Sequence, residues 1–196
     1  MGKIIEACLN QIFYNARTHN KWQDKPVSNE LLKEVYELMR LGPTSANCSP
    51  LRILFLRSKE AKERLRPHLS PGNVDKTMVA PATALLAYDL QFYEQLPHLF
   101  PFADAKSWFE GKPPFIQETA FRNSSLQGAY FIIAARACGL DCGPMSGFSS
   151  EGVDKEFFPD GQFKSNFLCN LGYGDPAGLP GPRAPRLSFD EACKIL

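Results

Sequence analysis

The sequence has almost no net charge: 22 Lys and Arg stand against 21 Asp and Glu in 196 residues, a balance of +1. That excludes the broad basic surface with which proteins hold nucleic acid or anionic membranes, so any cations that matter act locally. No apolar run approaches the roughly 18 residues of a membrane span, and the N-terminus does not read as a secretory signal. Its first helical stretch, IIEACLNQIFYNAR, carries Glu6, Asn10 and Gln11 inside the apolar pattern. The six cysteines are scattered, mostly within apolar runs, unlike the dense framework of a small secreted domain, which points to a reducing, cytoplasmic setting. Cys138 and Cys142 stand four apart with no second pair and no nearby His, so no metal site is expected. No glycine-rich turn leads from a strand into a helix. Gly172 and Gly174 lack the third glycine of the dinucleotide fingerprint, which argues against a Rossmann domain. Nor does a Ser-His-Asp, Cys-His or His-Glu-x-x-His element compete for a catalytic role.

The chain length suits a single domain over residues 1–196, an α/β or α+β core with some elaboration. Ile4, Ile5, Cys8, Leu9, Ile12, Phe13 and Ala16 recur at helical spacing and predict an apolar stripe on a helix of about four turns, ending near Arg17. Ser28 caps a second helix, with Leu31, Leu32, Val35, Leu38 and Met39 inward, that Gly42 and Pro43 stop. ILFLR (53–57) and ATALLAYD (82–89) read as strands of one sheet, the second apolar throughout and therefore central. Between them Ser58 caps a charged helix that Pro67 ends. Residues 91–114 form a proline- and aromatic-rich excursion with a short helix or two, a candidate cap over a site. From Phe115 to about Gly139 the pattern predicts one long helix, its second half buried on all sides, with Gly139 as its C-terminal stop. A loop CGPMSGF, a short helix near Ser150 to Phe158, a strand KSNFLCNLGYG and an extension over 175–196 complete the chain.

Five segments carry side chains suited to chemistry. In RTHNKW, the residues Arg17, His19 and Lys21 alternate, so an extended segment would line them up as a positive row of about 13 Å, fit for an elongated anion. The same cations at a helix C-terminus also offset its dipole. PTSANCSP displays Thr44, Ser45, Asn47 and Ser49 between two prolines, either as a turn that bonds its own backbone or as a recognition strip. GNVDK offers Asn73 and Lys76, which also read as helix-surface residues, and CGPMSGF could need glycine for backbone reasons alone. Arg183 and Arg186 lie in a proline-rich tail with few acidic neighbours.

In order and spacing these pieces resemble the FMN-dependent nitroreductase family over essentially the whole chain. The resemblance implies an α+β fold, a three-layer α-β-α sandwich with a mostly antiparallel central sheet, a long buried central helix, and an interlocked homodimer with an extended C-terminal tail. It implies FMN as cofactor and NADH or NADPH as electron donor. Arg17, His19 and Lys21 fall where the family contacts the flavin phosphate, ribityl chain and pyrimidine edge, with His19 in place of the usual serine. PTSANCSP resembles the family's flavin-contact strip, giving Thr44, Ser45 and Asn47, while Ser49 and Leu51 depart from its Gln and Trp. Asn73 and Lys76 match its Asn-x-x-Lys. Pro144, Met145, Ser146 and Gly147 match the loop whose amides meet the flavin edge, with Ser146 where many members carry Glu. Arg183 and Arg186 match the basic segment that grips the phosphate.

The runs ARTHNKW, GPTSANCSP, FYEQLPHLFP, ETAFRNSS and PRLSFDEAC resemble one branch of that family, the malonic semialdehyde reductases of bacterial uracil catabolism. What that implies is reduction of malonic semialdehyde to 3-hydroxypropionate, with Tyr93, Arg122 and Tyr130 as candidate substrate contacts and Arg122 as the cation for a carboxylate. The partners implied are a second copy of the chain and a small molecule, without nucleic acid, membrane or metal. Two other readings stay open: a general nitro or quinone reductase of the same fold, and a flavin-binding or storage protein that is not an enzyme.

Overall fold

In the computed structural model, which describes residues 2–179 and 181–196, the first helix differs from the one its apolar stripe predicts. α1 (Glu6–Leu9) runs directly into a π-helical stretch, Asn10–Tyr14. None of its residues is buried, and Ile5 and Tyr14 are 70% and 66% exposed. The stripe is only partly covered by this chain: Ala16 is buried and Leu9 and Ile12 are half-buried, while Ile4, Ile5, Phe13 and Tyr14 are exposed. α2 (Asn29–Met39) begins where expected, the Ser28 side chain accepting from the Leu31 amide, and buries Leu32, Val35 and Met39. Leu38, expected inward, lies on the exposed flank.

Four strands form one sheet: β1 (Leu51–Leu56), β2 (Ala82–Asp89), β3 (Asp141–Met145) and β4 (Phe163–Gly172). Their order is β1-β2-β4-β3, and every pairing is antiparallel. β2 is central and buried along its whole length. Its alternation sorts two cores: Ala82, Ala84 and Leu86 pack beneath α2 and the long helix α6 (Pro113–Ala137). Leu85 and Ala87 pack on the other face with Leu65, Val153 and Phe158. That second face is covered by α3 (Lys59–Leu65) and α7 (Ser150–Phe157), so the molecule is an α-β-α sandwich. Burying side chains such as Leu85 and Leu86, both at 0% exposure, stabilises the fold by roughly 1.5–3 kcal/mol each.

The segment expected as a loop at CGPMSGF is largely strand, since β3 takes in Asp141–Met145. Pro144 has no amide to donate, which an edge position tolerates. The outer side of β3 meets the first segment, where Thr18 bridges Cys142 in parallel and the His19 amide donates to the Cys142 carbonyl at 3.1 Å.

α6 is stopped at the expected place, with Gly139 at φ 79°. Its second half is not buried on all sides: Leu126 and Tyr130 are 47% and 39% exposed. The apolar run is wider than the sheet and α2 that this chain lays against it. The 91–114 excursion, which carries the short helix α5 (Leu96–Leu99), holds a third core, in which Phe92, Leu96, Ala105 and Phe109 pack with Ile116 and Ala120 of α6. Beyond Gly181 the tail is exposed and carries one short helix, Phe189–Ala192, begun by a reciprocal Ser188–Glu191 cap.

Candidate functional site

The segment after α1 runs antiparallel to the chain leaving β4. Trp22 bridges Gly174, the Gln23 amide donates to the Tyr173 carbonyl at 2.8 Å, and the Asp175 amide donates to the Lys21 carbonyl at 3.0 Å. Further along, Arg17 Nη2 donates to the Gly181 carbonyl at 2.8 Å. Glycine permits this closeness: a Cβ on Gly174 would overlap the His19 ring, and one on Gly178 would stand 2.5 Å from Lys21 Cβ. The alternating row therefore exists, but each member meets the chain's own tail. His19 is buried, at 7% exposure, with Nε2 3.6 Å from Asp141 Oδ1 and Nδ1 without a partner. It is packed against Gly174 inside the chain, which the alternation alone did not reveal.

α4 (Pro71–Met78) carries the next pair. Asn73 Nδ2 donates to the Gly147 carbonyl at 2.7 Å, and the Ser70 amide donates to the same oxygen at 3.0 Å. The Thr77 hydroxyl lies 3.6 Å from the Met145 sulfur. One end of β3 and the turn through Ser146 and Gly147 are thus tied to α4. Lys76 and Lys21 line one cavity of about 570 Å³, with Asn20, Gly72 and the carboxylates Asp75 and Asp175 on its walls. Asp175 is committed to its own turn, accepting from the Ala177 amide at 2.9 Å.

Among the described residues, Arg17, Lys21, Lys76, Arg183 and Arg186 make no ion pair with a carboxylate. Arg183 has a different occupation: its Nη2 donates to the carbonyls of Phe13, Tyr14 and Ala16 at 3.1, 2.9 and 2.6 Å. These are carbonyls at the end of the first helix, where a cation is favourable. Arg186 reaches only the neighbouring carbonyls of Ala184 and Pro185.

PTSANCSP forms a tight turn with Ala46, Asn47 and Ser49 at φ 48°, 52° and 39°. Thr44 serves the turn itself, its Oγ1 accepting from the Ser49 amide at 3.1 Å, whereas Asn47 ties the turn to the 91–114 excursion, its Nδ2 donating to the Leu99 carbonyl at 2.9 Å. The Ser45 amide donates to Asn123 Oδ1 at 2.8 Å. Ser45 and Ala46 border a second cavity, of about 300 Å³, with Trp108, Phe115, Thr119 and Arg122. Arg122 pairs with Glu118 one turn earlier on α6. Tyr130 lies against Gly42, where a Cβ would stand 2.5 Å from the ring. Tyr93 belongs to the aromatic core of the excursion, its ring centroid 6.0 Å from Phe92 and 6.5 Å from Phe109.

The single chain thus gathers two groups. One holds Arg17, Lys21, Asn73, Lys76 and the 144–147 turn; the other holds Thr44, Ser45, Asn47 and Arg122. None of the side-chain hydrogen bonds above joins them. Thr119 and Asn123, 5% and 2% exposed, were missed. They lie one turn apart in the polar-spotted first half of α6, so little in the sequence set them apart from Gln117, Glu118 or Arg122. Two buried cysteines are poor nucleophiles: burial pushes the Cys48 thiol up to about 11, and the neighbouring Cys142 thiol and burial raise Cys169.

A family model described as "Nitroreductase family" matches residues 14–173. The chain belongs to the nitroreductase family. It is 62% identical over 191 residues to a protein of Polynucleobacter asymbioticus named for NADH dehydrogenase and NAD(P)H nitroreductase activity, covering 97% of each chain. Among solved structures, the nitroreductase ydfN of Bacillus subtilis superposes with a TM-score of 0.86 at 24% identity, covering 98% of this chain and 100% of that one. A nitroreductase of Exiguobacterium sibiricum in complex with FMN gives a TM-score of 0.79 at 20% identity, over 94% and 96% of the two chains. No helix among the described residues is long and apolar enough to cross a membrane.

Proposed function

We propose that this nitroreductase-family protein binds FMN and passes electrons from NADH or NADPH to a small-molecule acceptor, with malonic semialdehyde, reduced to 3-hydroxypropionate, as the physiological one. The observation that carries the cofactor assignment is the meeting of Lys21 and Lys76, from distant segments, at one cavity of about 570 Å³. Beside it, Asn73 fastens the 144–147 turn to α4.

The residues present fit FMN. Arg17 and Arg186 offer guanidinium groups that no carboxylate neutralises, and the guanidinium fork suits a phosphate dianion. Lys21 and Lys76 offer ammonium donors to an electron-rich ring, beside the Asp75 and Asp175 carboxylates on the same walls, and the Ser146 and Gly147 amides would supply edge donors. When bound, FMN would supply the two-electron redox chemistry between the nicotinamide and the acceptor. The chain's own task is placement and electrostatics. Arg183 is the exception in the expected set, since its donors already serve the first helix.

A second copy of the chain completes the site in this reading, bringing the Thr44, Ser45 and Asn47 strip against the Lys21 and Lys76 group. The exposed Ile5, Tyr14, Leu126 and Tyr130 support it, because apolar side chains gain from being covered.

A general nitro or quinone reductase is the second reading, favoured by the name of the 62% identical relative. The test is an absorbance spectrum of the yellow protein, followed by anaerobic NADH or NADPH, then malonic semialdehyde or menadione in separate cuvettes. Bleaching by the nicotinamide and reoxidation by the semialdehyde are expected. Reoxidation by menadione alone would remove the aldehyde assignment, and a protein that takes up no FMN would remove the whole reading.

A further inference from the structure

Resting on that reading, we infer that Arg122 selects acceptors bearing a carboxylate and seats them in the cavity between α6 and the 91–114 excursion. The cavity holds about 300 Å³, at the small end of ligand sites. Its apolar walls are firm: Phe109 and Phe115 stack with centroids 5.0 Å apart and planes 7° apart, and Trp108 closes the side. Asn123 is locked, accepting from the Ser45 amide and donating to the Thr119 carbonyl at 2.8 and 2.9 Å. It therefore shapes the cavity and has little capacity left for a ligand.

Two groups on the wall remain available. The Thr119 hydroxyl, on a residue only 5% exposed, makes no hydrogen bond to another described residue. Arg122 is the one charged side chain on the wall, and no carboxylate lines the cavity. Its present partner, Glu118, lies outside, and both side chains of that pair are exposed, at 63% and 59%. Such a pair is weak in water, so exchanging Glu118 for a ligand carboxylate costs little. A ligand carboxylate can engage the same guanidinium through two parallel bonds, where Glu118 now meets it through Nη2 alone. Ser45 and Ala46 border the cavity as well, so an anion held by Arg122 turns its far end toward the strip assigned to the flavin edge. This arrangement suits a short acceptor with an anion at one end and a reducible carbon at the other.

The test uses the FMN-loaded protein and compares malonic semialdehyde with propanal, a neutral aldehyde of equal carbon number. Arg122→Gln is expected to lower the ratio of their kcat/KM values about tenfold, and Arg122→Lys to recover part of it. Glu118→Gln frees the arginine and is expected to raise the ratio. Calorimetry with malonate, which binds without reacting, gives a readout free of turnover: its Kd is expected to rise about tenfold in Arg122→Gln. An unchanged ratio in Arg122→Gln, or a ratio that falls in Glu118→Gln as it does in Arg122→Gln, would overturn the inference. Nicotinamide bleaching of the wild-type protein without any malonate binding would overturn it alone and leave the flavin reading standing. Failure of that bleaching would count against the flavin reading itself.

Discussion

The Asn73 side chain donates to the Gly147 carbonyl at 2.7 Å, joining two segments far apart in sequence at the wall of the proposed flavin site. Asn73→Ala removes a bond of about 1 kcal/mol and loosens the 144–147 turn, leaving the Ser70 amide as the remaining donor to the Gly147 carbonyl. FMN titration by fluorescence is expected to show a Kd raised about fivefold. An unchanged Kd would mean that the turn is held without this bond.

Arg183 and Arg186 separate cleanly. Arg17→Ala and Arg186→Ala are expected to lower FMN retention on gel filtration while leaving the apo protein's Tm nearly unchanged. Arg183→Ala removes a cation from three carbonyls at the end of the first helix and is expected to lower stability by about 1–2 kcal/mol, read by urea denaturation. Unchanged retention in both Arg17→Ala and Arg186→Ala would remove the phosphate assignment.

Lys62 is buried at 4% exposure, and its ammonium donates to the Ala80 carbonyl just beyond α4. Burial pulls its pKa down to about 8. An unfolded lysine titrates near 10.4, so between about 8 and about 10.4 the unfolded chain binds the extra proton and stability rises with pH. The integrated rise is at most roughly 3 kcal/mol. Urea midpoints at pH 7 and pH 9.5 measure it, and Lys62→Met is expected to flatten the difference. An equal rise in that variant would assign the effect elsewhere.

Gly174→Ala would push a methyl group into the His19 ring at the crossing with the tail. Overpacking of this kind costs about 1–3 kcal/mol. Thermal unfolding should show the loss, and a variant as stable as wild type would mean that the His19 ring turns aside freely.

Much of the fold was legible because it is written in local chemistry: Ser28 and Ser58 accept at the first turns of α2 and α3, and Gly139 stops α6. The apolar run at 82–89 marked the central strand. β3 was missed because Gly143 and Pro144 read as breakers, whereas an edge strand needs no amide from Pro144. The outward faces of α1 and α6 were misread because periodicity reports that a surface is apolar, not which molecule covers it. In the site, residue types were legible and their present partners were not. Nothing local announces that Arg183 serves the Phe13, Tyr14 and Ala16 carbonyls, or that His19 is walled in by Gly174.

The border of β3 bears on how copies of this chain meet. One side is paired with β4, and the other is occupied by the Thr18 bridge and interrupted by the imino acid at Pro144. A neighbour finds no continuous ladder of donors and acceptors on which to add a strand there. Sheet growth, the usual route to fibrils, is blocked on that flank.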